Sequence, residues 1–374
     1  MDKDTQADIL TELIAVSGEL PPGAVNRVKG GGKYKEKLIT GIKNAGVIRT
    51  YYRDKLRGYR ITVRAKKKLL ETAPARFAFY LTGKVDTNHI SGNITRRLRL
   101  HRIADTVITM YNAGVSIFRD GKPDVFYRAD DNSAVGQSLA VVNPAFYNSR
   151  EFKELGNDLI KIKNARAVGV LLTVADIFIV YNTGNSLMKW DYKSEIGVKA
   201  SMKYYLCQQR LSRQYEPESV KGLILGNSMD ILYELIHGRD GCKRNYFFLD
   251  NTFDSFIFLT NDEYGEILLK LLCDYNMQNE LNGILCGTLN PPDKGITIEN
   301  DAFDDGGNPV LLSYLIDMPR LVRFYSALNL QDRTGTVICF DFQKDILLKC
   351  CGERVSFETI DFIEFKRRFI EENP

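Results

Sequence analysis

Residues 33–68, KYKEKLITGIKNAGVIRTYYRDKLRGYRITVRAKKK, constrain the fold more than any other stretch of the chain. Within 33–45, Leu38, Ile39, Ile42 and Ala45 recur at the i, i+1, i+4, i+7 spacing of a helix with one buried stripe. Lys33, Lys37, Thr40 and Asn44 fall on the opposite side, so that face is cationic and able to hydrogen-bond. Gly46 supplies the residue that ends a helix cheaply, because glycine takes positive φ without steric cost. Two β-rich runs follow, at 47–52 and 59–63, joined by Arg53-Asp54-Lys55-Leu56-Arg57-Gly58, a turn carrying three cations. A short helix at 65–71 then carries Lys66, Lys67 and Lys68.

The preceding segment adds an amphipathic helix at 8–16 and, after Pro21-Pro22, a short second helix at 23–28. The order helix, helix, helix, hairpin, helix resembles a winged helix-turn-helix. In that module the third helix enters the DNA major groove and the hairpin touches backbone or minor groove. The resemblance implies groove contacts from Lys33, Lys37, Thr40 and Asn44. It implies further contacts from Arg53, Lys55, Arg57 and Arg60 on the wing, and from Lys66 and Lys67 behind it. Charge agrees with this. Residues 1–103 hold 22 Lys+Arg against 9 Asp+Glu, which leaves 29 against 38 for the remaining 271 residues. A cationic excess confined to one small module is the footprint of a polyanion binder. The alternative for the same module is protein–protein docking through a solvated basic face.

A chain of 374 residues with 44% hydrophobic and 26% charged residues has room for two or three globular domains. The boundaries expected are 1–75, a connector helix plus α/β domain at 94–210, and a C-terminal α/β domain at 211–374. Strands alternating with helices from Gly114 onward argue a mixed fold, α+β overall with α/β texture in its later part. Strands are expected at 77–81, 115–118, 125–128, 167–173, 176–181, 187–190, 220–225, 246–249, 255–260, 310–316, 336–342 and 355–359. Helices are expected at 94–112, 148–155, 194–207, 228–237, 261–275, 278–285, 319–327 and 362–372. No run of 18 apolar residues predicts a membrane helix, and the charged N-terminus lacks a signal-peptide core, so the cytoplasm is expected. Seven cysteines form no CxxC pair and only three histidines exist, which argues against zinc. Most of the cysteines lie in apolar runs and are expected to be buried thiols, with Cys350-Cys351 the more exposed pair.

Phosphate-binding fingerprints are absent; Gly226-Asn227-Ser228, between a strand and a helix, is a common kind of turn that can hold an anion at a helix N-terminus. Pro123-Asp124 and, much later, Asp191-Tyr192-Lys193 follow the PD and (D/E)xK pattern of restriction-endonuclease-like enzymes. There, two carboxylates on adjacent strands hold a divalent metal at the scissile phosphate while a lysine orients the water. On that reading Asp124, Asp191 and Lys193 are catalytic, and Asp124 and Asp191 bind Mg²⁺. Otherwise no cofactor is expected, Asp124 and Asp191 cap local structure, or the endonuclease-like fold has lost its chemistry.

The segments ITRRLRLHRIADTVITMYNAG, IFRDGKPDVF and FIVYNTGNSLMKWDYKSE are similar to the replication-relaxation family of plasmids and integrative conjugative elements, over roughly residues 5–210. YFFLDNTFDSFIFLTND and TGTVICFDFQ resemble the C-terminal part of its members. The resemblance implies a winged-helix DNA-binding protein of a mobile element, with a degenerate endonuclease-like second part. Trp190-Asp191 stands where the family has Glu-x-Asp. The expected partners are double-stranded DNA and a second copy or other mobile-element proteins. The rival functions are a metal-dependent nuclease or nickase, and a regulator or scaffold whose C-terminal part binds a ligand or partner.

Overall fold

The computed structural model describes residues 5–28, 30–83, 92–126, 139–152, 165–238, 245–292 and 298–372. The chain is mixed α and β. It divides into two compact units, one of residues 1–161 and 168–172, the other of residues 162–167 and 173–374. The expected boundary at 75 falls inside the first unit.

In the first unit, α1 (Gln6–Ser17) opens with a capping box in which Thr5 accepts from the amide of Asp8 and Asp8 accepts from that of Thr5. It ends at Gly18, φ 88°. Leu10, Leu13 and Ile14 are fully buried along it. The short helix expected at 23–28 is a 3-10 helix over Pro22–Arg27. Short helical segments of this kind are where 3-10 geometry is commonest. α2 (Gly32–Asn44), β1 (Ile48–Arg53), β2 (Leu56–Ile61) and α3 (Val63–Thr72) follow in the expected order. α4 (Pro74–Leu81) replaces the strand expected at 77–81. Pro74 presets the first helical φ, and Phe77, Tyr80 and Leu81, all fully buried, stand at the i, i+3, i+4 spacing of a helix.

α5 (Ile94–Asn112) has the expected bounds and packs on α1. The expected strand at 115–118 is a loop with one bridge, Ser116 to Ala145. The expected strand at 125–128 and helix at 148–155 run partly outside the described residues. β3 (Ala145–Asn148) and β4 (Gly169–Leu172) pair antiparallel, with α6 (Ser149–Phe152) directly after β3.

The second unit holds β5 (Ile177–Gly184), β6 (Val220–Gly226) and β7 (Phe256–Thr260) in parallel. The runs at 187–190 and 246–249 make one bridge, Lys189 to Tyr246, instead of strands. α7 (Tyr192–Met202) continues as a π-helical turn to Arg210, α8 (Ile231–His237) follows β6, and α9 (Glu263–Cys273) and α10 (Tyr275–Cys286) follow β7. Asp230, not Ser228, stands at the start of α8. After β8 (Ala302–Phe303) and β9 (Pro309–Leu312), β10 (Ile316–Asp317) pairs antiparallel with β7. α11 (Met318–Leu330), β11 (Gly335–Phe340), α12 (Lys344–Cys351), β12 (Val355–Ile360) and α13 (Phe362–Lys366) complete the chain. β11 lies parallel to both β9 and β12, and β8 pairs antiparallel with β9. Cys350 and Cys351 are both buried, contrary to expectation, because they face inward at the end of α12. Burial pushes the Cys350 thiol up to about 12, so it stays protonated. Among the described residues no helix is long and apolar enough to cross a membrane.

Candidate nucleic-acid interface

α2 buries Ile39 and Ile42 and leaves Lys33, Lys37, Thr40 and Asn44 exposed, as its spacing dictates. Leu38 is half-buried and Ala45 lies outside, just past the helix end. Gly46 has φ 69° and returns the chain toward the core, where the amide of Val47 donates to the carbonyl of Ile42 at 3.0 Å. Thr62 fastens the far end of the hairpin to this corner. Its amide donates to the carbonyl of Val47 and its hydroxyl to that of Gly46 at 2.6 Å, and it also caps α3.

The hairpin is tighter than the six-residue turn expected from sequence. β1 and β2 pair in register from Ile48–Ile61 out to Arg53–Leu56, and only Asp54 and Lys55 turn. Both have positive φ, 52° and 59°, as in a type I′ turn. The sequence lacks the Asn-Gly or Asp-Gly pair that announces such a turn. Arg53, Lys55 and Arg57 are exposed, as are Arg49 and Tyr52. On α3, Lys67 is exposed and Lys66 half-buried.

Arg60 is not on this surface. Alternation along β2 sends Leu56, Gly58 and Arg60 to one face and Arg57 and Tyr59 to the other. Arg60 is 4% exposed, and its guanidinium reaches Glu19 with Nε at 2.8 Å and Nη2 at 2.6 Å. Glu19 is fully buried. Arg97 of α5, also fully buried, donates to it from Nε at 3.0 Å and from Nη2 at 2.6 Å. His101, one turn further along α5, places Nε2 2.8 Å from Oε1. An ionised carboxylate only accepts, so that nitrogen carries the hydrogen. Burial pushes the Glu19 carboxyl up, but bonds from His101, Arg97 and Arg60 outweigh it and hold it at about 2.

Arg97 does a second job. Its Nη1 donates to the carbonyl of Arg53 at 2.9 Å and its Nη2 to those of Leu56 at 3.0 Å and Tyr51 at 3.3 Å. The backbone on both sides of the turn is thereby tied to α5. The Tyr51 ring lies near two guanidinium carbons, 3.8 Å from Arg60 and 4.7 Å from Arg97. Gly58, directly opposite Tyr51, leaves the room this needs: a Cβ there would fall 2.6 Å from Cγ of Glu19. Sequence reasoning missed this node. Its one visible signal is an acid, Glu19, just after the glycine that ends an apolar helix.

Asp124 belongs to the first unit, Asp191 and Lys193 to the second, and neither carboxylate stands on a strand. Asp124 is exposed in a loop whose neighbour Lys122 is buried, donating to Glu151 and to the carbonyls of Ile117 and Phe146. Asp191 precedes α7, where its carboxylate accepts from the Ser194 hydroxyl at 2.8 Å, and Lys193 is exposed on the first turn. Adjacent-strand carboxylates, which the metal chemistry requires, are therefore not formed by this pair. Among the described residues, no group of three or more His, Cys, Asp or Glu is placed to hold a metal ion.

Comparison with known proteins returns no matching family, no matching curated protein and no matching solved structure.

Proposed function

We propose that this chain binds double-stranded DNA through residues 33–68 in the manner of a winged helix, with α2 in the major groove and the β1–β2 hairpin on the adjacent backbone. One observation carries the reading. Over that stretch nine Lys and Arg side chains are exposed against two exposed acids, Glu36 and Asp54, on a helix and a hairpin joined through Thr62. Lys33 and Lys37 with Thr40 and Asn44 present charge and hydrogen-bonding groups along one helical face, the combination that positions and reads a duplex. The resemblance to the replication-relaxation family supports a role in mobile-element replication or transfer, without catalysis by Asp124, Asp191 or Lys193.

The test is fluorescence anisotropy on labelled duplex with the full chain at 50 and 200 mM salt, with and without Mg²⁺. Six to ten phosphate contacts give a loss of roughly 10³–10⁵ in affinity across that range. Lys37→Glu and Arg57→Glu each weaken binding and flatten the salt slope. A salt-independent affinity, or no binding at 50 mM, overturns the reading; Mg²⁺-dependent cutting overturns its non-catalytic part.

A further inference from the structure

The hairpin carries a feature that phosphate contacts do not use. Tyr52, the last residue but one of β1, is 67% exposed. Its directly opposed residue is Arg57, and Arg53 and Lys55 follow it around the turn, all exposed. An aromatic ring held in water costs solvation and adds nothing to the hairpin's own core, which is supplied by Ile48, Tyr59 and Ile61 nearer its base. The backbone beneath Tyr52 is fixed: Arg97 holds the carbonyls of Tyr51, Arg53 and Leu56, and the turn itself is two residues long. The result is a stiff post with a ring near its tip, Arg57 beside it on the same face and Lys55 at the turn.

From this geometry we infer that Tyr52 is a base-stacking residue, and that the hairpin selects DNA containing an unpaired base next to duplex. The inference rests on the DNA-binding reading above and sharpens its ligand. An aromatic face stacks on any exposed base, whatever its sequence, while neighbouring cations hold the backbone. In intact duplex the ring reaches a base face only by prying a step apart, against the stacking energy of that step. A bubble, flap or junction removes that cost. Arg57, on the same face, and Lys55, at the turn, then take the phosphates beside the splayed nucleotide.

The experiment compares two labelled DNAs of equal length with the full chain at one salt concentration. One is fully paired; the other has a short unpaired bubble with 2-aminopurine at its centre. The readouts are the ratio of the two affinities and the 2-aminopurine emission, which stacking quenches. The expected ratio is about 10- to 100-fold in favour of the bubble, with quenching on binding. Tyr52→Ala brings the ratio near one and removes the quenching, and Tyr52→Phe keeps both. Tyr52 is exposed, so its replacement leaves packing intact. Equal affinity of the wild type for both DNAs overturns this inference and leaves the duplex-binding reading standing. A bubble preference unchanged in Tyr52→Ala also overturns it, by assigning stacking elsewhere. Failure to bind either DNA at low salt overturns both.

Discussion

Replacing Glu19 by glutamine removes one charge and almost no volume from the node beneath the hairpin. In the wild type a single fully buried carboxylate accepts from Arg60, Arg97 and His101. In the Glu19→Gln variant two guanidinium groups stay buried without a counter-charge, and the new amide NH₂ faces donors with a donor. Taking one partner from a buried ion pair costs about 3–5 kcal/mol. With a urea dependence of about 2 kcal/mol per molar for a unit of this size, the denaturation midpoint of the first unit falls by roughly 1.5–2.5 M. Hydrogen exchange locates the loss: amides of β1 and β2 exchange faster first, because Arg97 no longer has an anchor for its bonds to the turn. Acid provides a second, independent reading. The Glu19 carboxyl is held down from 4.5 to about 2, so its stabilisation is complete above pH 4.5 and is lost as pH falls toward 2. That window holds at most about 3 kcal/mol, less to the extent that water screens the site. Glu19→Gln lacks this component of acid sensitivity. An unchanged midpoint at pH 7, or an acid profile identical to that of the wild type, refutes the reasoning.

Two further outcomes follow from the geometry of the first unit. Gly58→Ala drives a methyl group into Glu19 and is expected to cost about 1–3 kcal/mol, seen as a lowered Tm; an unchanged Tm means that the node relaxes freely. Burial raises the Asp105 carboxyl to about 6, although Arg27 and His101 pull it down. A raised acid pKa means the folded chain holds its proton longer, so stability falls as pH rises from about 4 to 6 and stays lower above. Asp105→Asn therefore stabilises the chain by about 1–3 kcal/mol at pH 7.5 and by nothing near pH 3; equal gains at both pH values contradict that origin.

Much of the first unit is legible from local pattern. α2, β1, β2, α3 and α5 follow from helical spacing, from Gly46, and from β-branched and aromatic runs. The outward positions of α2 are right because they depend on a 3.6-residue period alone. Sequence places Arg60 on the wrong face because strand alternation fixes which residues share a side, not which side is covered, and α5 covers that one. Nothing local to β2 announces Glu19, 41 residues away. Phe77, Tyr80 and Leu81 carry a helical spacing that a five-residue window reads as β. Asp124 and Asp191 show the opposite failure, a motif with correct residue types on the wrong elements. Short carboxylate motifs carry chemistry only where the fold brings them onto adjacent strands, and spacing in sequence does not encode that.

The course of the chain between the two units bears on how the protein is made. Residues 168–172 belong to the first unit, although 165–167 before them and the chain from 173 onward belong to the second. Those five residues contain β4, the antiparallel partner of β3. During synthesis at about 5–20 residues per second, the candidate DNA-binding segment emerges early, yet its unit is complete only when residue 172 has cleared the ribosome. Until then β3, with all four of its residues destined for burial, presents an open edge. A fragment ending at 161 arrests the chain in that unfinished state, and one ending at 75 also lacks α5 and the Arg97 that holds the hairpin.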